Sequence, residues 1–130
     1  MSLRVTVIAA CTLLACAFSN AAGAAGSPAG CVSLKARYQS GFNALVSEVR
    51  AKSPLLLMQY ASSLGGAHAS KVPSRAAAMR ALASVRPSCM RSLGTESCGR
   101  LLASAAGFIN RTSQLNARFE AKHCPGSLAD

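Results

Sequence analysis

The chain has 130 residues, 51% of them apolar but only 5% aromatic, no tryptophan, and a formal net charge of +10. That length holds one domain rather than several, and a core so poor in large side chains needs covalent help to hold a fold this small. Four carboxylates and two histidines are a meagre acid–base supply; with no nucleophile motif such as G-x-S-x-G and no zinc-like ligand spacing, the composition argues against an enzyme, a metal protein or a cofactor protein.

The chain opens with one positive charge, Arg4, followed by an apolar run from Val5 to Phe18. This is the pattern of a secretory signal peptide, and the run is shorter than the roughly 20 residues needed to span a bilayer. Small residues then offer cleavage after Ala21, or as late as Ala24. Residues 1–21 are therefore expected to leave as a leader, and removing Arg4 takes the net charge to +9. A second processing route competes. Leu13-Leu14-Ala15-Cys16 resembles the lipobox of bacterial lipoproteins, which implies cleavage before Cys16, its lipidation, and a membrane-anchored product. Either route exports the protein, to the periplasm or the extracellular space.

Residues 22–30 are Ala, Gly, Ser and Pro, and are expected to form a flexible lead-in. The domain proper is expected over 31–124, followed by a tail at 125–130. Leu34, Tyr38, Phe42, Leu45 and Val49 recur three and four apart, which predicts a first helix ending near Ser53, with Val46 at the edge of its apolar stripe. Ser53-Pro54 is a cap followed by a first-turn proline, so a short second helix is predicted from Pro54 to Leu64, stopped by Gly65-Gly66. Its Leu55, Leu56, Leu57, Met58 and Tyr60 exceed what one face can bury. The surplus reads first as a fully buried short helix, and otherwise as the lining of a cavity or a partner-facing surface.

A third helix is predicted from Pro73 or Ser74 to Arg86, with Pro87 beyond it. Its pattern is poor, because Met79 and Leu82 share a face with Arg75 and Arg86. A fourth begins near Thr95 and Glu96, a cap and a first-turn acid. It continues through Leu101, Ala105, Phe108, Thr112, Leu115 and Phe119, widened by Leu102 and Ile109, and stops at Cys124-Pro125-Gly126. No strand-like alternation of useful length occurs. The expected fold is an all-α, up-down bundle of about four helices.

Cys31, Cys89, Cys98 and Cys124 lie beyond the leader, and four cysteines in a small exported domain read as two disulfides. In an up-down order Cys31 and Cys124 fall at one end, and Cys89 and Cys98 flank the turn at the other. Pairing 31–124 with 89–98 is then the one choice that needs no bridge between opposite ends.

Function is read from the charges. On a helical wheel Arg100, Arg111, Arg118 and Lys122 form a one-sided row beside the apolar stripe of the fourth helix, with Glu120 on the other side. Lys71, Arg75, Arg80, Arg86 and Arg91 form a second basic group, of which Arg75 and Arg86 are the candidates for the same surface. Such rows attract anionic partners. Export and the lack of interleaved aromatics disfavour nucleic acid, leaving an anionic protein or an anionic membrane surface. Glu48 is expected to pair with Lys52 one turn on. Asn110-Arg111-Thr112 is a glycosylation sequon whose Asn110 points away from the apolar stripe. The expected function is non-enzymatic binding of an anionic protein or membrane surface. The alternative is carriage of a lipid or small apolar ligand in a pocket between helices.

Overall fold

The structure is a computed structural model and describes residues 28–65 and 71–130. The leader, Cys16 and the cleavage positions lie outside the described residues. Among the described residues there are three helical segments: α1 (Pro28–Lys52), α2 (Pro54–Ser63) and α3 (Arg75–Ala121). The expected class, all-α and disulfide-linked, is what the structure shows. The count of about four helices is corrected to three.

The correction lies in α3. Helix does not stop at Pro87. It continues through the proline, whose missing N–H leaves the carbonyl of Ala83 without its usual donor. Ala83 and Pro87 are both exposed, so water can take that acceptor. The break comes at Gly94, with φ 80° and ψ 166°, a conformation open essentially to glycine alone. Around Gly94 the chain doubles back. Cys89 and Cys98 have Cα atoms 5.5 Å apart, where a straight helix would separate them by about 13 Å. Thirty-five residues apart in sequence, Arg75 Nε donates to Asn110 Oδ1 at 2.7 Å. α3 is thus a first arm, 75–93, folded against a second arm, 95–121.

α1 opens at Pro28, inside the stretch expected as lead-in, and runs antiparallel to the second arm. Cys31 meets Cys124 with Cα atoms 5.7 Å apart, and farther along Glu48 Oε1 accepts the Ser104 hydroxyl at 3.3 Å. Glu48 therefore serves the neighbouring helix rather than Lys52. The two bridges join Cys31 to Cys124 and Cys89 to Cys98, one at each end of the bundle.

The core divides in the same way. At the hinge end Val49, Leu56, Val85 and Leu101 close around the fully buried Cys89 and Cys98. At the other end Cys31, Leu34, Phe119 and Leu128 pack together. Leu128 is among the most buried side chains (1% exposed), so the last residues are docked. Gly126, with φ 76°, turns the chain back, and the Ser127 amide donates to Asp130 Oδ2 at 2.6 Å. Each buried leucine contributes on the order of 1.5–3 kcal/mol.

The first arm buries Ala78, Ala81, Val85 and Cys89, a stripe of small residues spaced three and four apart. Arg75 and Arg86 remain exposed while Met79 and Leu82 are half-buried. Ser74 caps this arm by accepting from the Ala77 amide at 3.1 Å. Ser53, expected to cap α2 with its side chain, makes no such bond. Its carbonyl accepts from Leu56 N instead.

Candidate functional site

α2 has 10 residues and is about 15 Å long, against about 37 Å for the 25 residues of α1. It packs at the hinge end, with Ser63 Oγ 2.8 Å from Ser84 Oγ, and ends at Gly65, φ 88°. So short a helix cannot cover the apolar flank presented by three longer rods. Below it the structure holds a cleft of about 1000 Å³. α1 supplies one wall with Phe42, Leu45, Val46 and Val49, and the first arm another with Ala77, Ala81, Leu82 and Val85. The second arm forms the floor with Leu101, Leu102, Ala105, Phe108 and Ile109. Leu56, Leu57 and Tyr60 of α2 close the top, and Val72 and Pro73 lie at the far side. The alanines make the space, because methyl groups face inward where leucines would fill it.

The lining is apolar except for a few groups. Burial pushes the Tyr60 phenol above its ordinary range, and the Tyr38 hydroxyl adds to that. Tyr38 is raised by burial alone. Arg50, Lys71 and Arg80 also line the cleft, and all three are exposed. None of the lining residues is an aspartate or glutamate. α2 itself departs from the expected fully buried helix. Leu56 is buried, but Leu55 and Met58 are 56% and 66% exposed.

The aromatic side chains Tyr38, Phe42 and Phe108 meet with ring centroids 5.9 to 6.3 Å apart. Gly41 lies beside this cluster, where a Cβ would stand 3.4 Å from the Phe108 ring, an ordinary contact. Phe108 also borders a smaller groove of about 300 Å³ between α1 and the second arm, where Arg37, Arg111 and Arg118 converge without a carboxylate among the lining residues. The Arg111 guanidinium lies back over Gly107, 3.2 Å from where a Cβ would be.

The residues expected to bind an anionic partner therefore separate. Arg111 and Arg118 share the groove, joined by Arg37, which the helical wheel of one helix could not reveal. Arg100 pairs with Glu96 at 3.2 Å in an exposed turn of helix, a pair of little energetic weight. Lys122 stands exposed at the C-terminal cap of α3. Arg75 is held by Asn110, and Arg86 is exposed on the first arm. Asn110 is exposed and Thr112 buried, as the wheel places them. Among the described residues no three His, Cys, Asp or Glu side chains converge as a metal site would need. Glu48, Glu96, Glu120 and Asp130 lie apart, bonded to Ser104, Arg100, Asn116 and Ser127 respectively.

No family of proteins, no curated protein and no solved structure gives a significant match to this chain. The two disulfides fit an oxidising compartment. No helix among the described residues is long and apolar enough to cross a membrane.

Proposed function

We propose that this is an exported, non-enzymatic binding protein that carries a small apolar ligand in the cleft below α2. The cleft carries the reading. Its volume of about 1000 Å³ is at the upper end of ordinary ligand sites, roughly 300–1000 Å³, and its walls are the mainly apolar kind such sites have. It is framed by rods cross-linked at both ends, so its walls are pre-organised, which lowers the ordering cost of binding. The leader pattern and the bridges support export. The test is titration with a neutral, polarity-sensitive dye. One dye per chain is expected, with blue-shifted emission. Ala77→Phe, at a half-buried wall position, should weaken it at least about tenfold by filling the space while the helical circular dichroism stays unchanged. No dye uptake by the folded chain would sink the reading.

A second reading is favoured by the convergence of Arg37, Arg111 and Arg118: docking of an anionic protein or membrane surface on that groove. Three like charges gathered without a carboxylate favour an anion between them. Binding of this kind should weaken steeply with salt and be lost in Arg37→Gln/Arg118→Gln. An apolar ligand in the cleft should survive both changes.

A further inference from the structure

We infer that the groove between α1 and the second arm seats one phosphate monoester group, held between Arg37 and Arg118 with Arg111 farther along. This rests on the reading of that groove as an anionic docking site and names the group it recognises. The register of the two helices brings the arginines together. Cys31 is bridged to Cys124; Arg37 lies six residues after the first and Arg118 six before the second. In an antiparallel pair they stand level, one on each wall, across axes about 8–10 Å apart. Arg111 is on the same face of the second arm as Arg118, two turns back and about 10 Å away along the axis. All three line the same groove.

Charge selects the anion. None of the residues lining the groove is acidic, and the one ion pair among the described residues, Arg100–Glu96, uses none of its arginines. A carboxylate has a single negative charge and two oxygens, so one guanidinium fork matches it. A phosphate monoester has close to two negative charges at pH 7 and three strong acceptor oxygens, enough for forks from two facing walls. The floor adds to the attraction. Thr112 is buried, and Tyr38, Phe108 and Leu115 are half-buried. An anion seated over them exchanges part of its water for apolar surface, where opposite charges attract more strongly than on an open face. The recess of about 300 Å³ is at the lower end of ligand sites. It admits a phosphate and the few atoms next to it, from a lipid headgroup or from a soluble ester.

The experiment titrates the oxidised chain by calorimetry with glycerol 3-phosphate and with glycerate. In parallel, the chain is co-sedimented with phosphatidylcholine vesicles carrying phosphatidic acid, a monoester, or phosphatidylglycerol, a diester, matched in total charge. The monoester is expected to bind at least about tenfold tighter than its comparator, one group per chain. Tighter binding to phosphatidic acid than to glycerol 3-phosphate, per accessible phosphate, makes a lipid headgroup the source; equal or weaker binding makes it a soluble ester. In Arg37→Gln/Arg118→Gln the preference should disappear. Lys52→Gln/Arg91→Gln removes the same charge from exposed positions outside the groove and should keep it. Since Arg37 and Arg118 are exposed, their variant should fold, and circular dichroism checks this. Monoester and comparator bound equally, but lost in Arg37→Gln/Arg118→Gln, overturns the phosphate seat and leaves anionic docking on the groove standing. A preference that survives that variant, or falls equally in both variants, also overturns the seat. A chain that binds neither solute and neither anionic vesicle overturns both the seat and the docking reading.

Discussion

The bridge between Cys31 and Cys124 spans 93 residues, nearly the whole described domain, and its removal is the most severe covalent change this fold can undergo. In the chain-entropy treatment a loop of that length restricts the unfolded chain by roughly 4.7 kcal/mol, and one the length of the Cys89–Cys98 loop by about 2.7 kcal/mol. Cys31 is also packed against Leu34, Phe119 and Leu128, so alanine there loses some contact as well. Domains of this size have on the order of 5–15 kcal/mol of stability. Cys31→Ala/Cys124→Ala should therefore remove a large share of it. Urea unfolding followed by circular dichroism should show the midpoint falling steeply, and at about 4–8 °C per kcal/mol the melting temperature should drop by roughly 20–40 °C. The variant's amide exchange should rise first at the end holding Leu34, Phe119 and Leu128, since that core loses its clamp. A loss below about 1 kcal/mol would refute the reasoning, because it would mean that the two ends are not held together by this bridge in solution.

Three further outcomes follow from single side chains. Gly94→Ala should cost about 1–3 kcal/mol from backbone strain alone, since a Cβ there meets nothing within 4 Å; an unchanged urea midpoint would mean that the hinge does not hold its positive φ. Leu128→Ala should cost on the order of 2–4 kcal/mol, as befits a side chain 1% exposed, whereas a free tail would register almost nothing. Tyr60 holds its proton more tightly in the folded chain, through burial first and the Tyr38 phenol second. Its contribution is full below the ordinary tyrosine range near 10 and is lost as pH rises through the folded value. Tyr60→Phe should thus lose less stability than the parent between pH 9 and pH 11, compared by urea midpoints, and identical slopes would contradict the shift.

Much of this architecture is legible in the sequence. The Leu34-to-Val49 and Leu101-to-Phe119 stripes place α1 and the second arm, and Ser53-Pro54 and Gly65 bound α2 to within a residue. The order of the rods, combined with the reach of a disulfide, favours the pairing that the structure contains. The first arm is less legible, because its buried stripe is Ala78, Ala81, Val85 and Cys89. Alanine is a weak marker of a core, so Met79 and Leu82 draw the eye to the wrong face. Pro87 reads as a stop, but an exposed proline is tolerated, and the hinge within the expected turn is Gly94, a glycine at positive φ. The basic groove needs Arg37 from another helix, and no wheel drawn for one helix can supply it. The cleft arises from a mismatch of lengths. Helix periodicity gives α2 its span but not the flank it leaves bare.

The central claim is that a folded, cross-linked chain holds one small apolar molecule in the cleft below α2. Native mass spectrometry of the protein isolated from its own exported fraction, before and after unfolding, tests this most directly. The account predicts one small molecule per chain that leaves on unfolding, with the vacated and refolded chain taking up the neutral, polarity-sensitive dye in its place. A folded, disulfide-bonded chain that carries nothing and takes up no dye would contradict it.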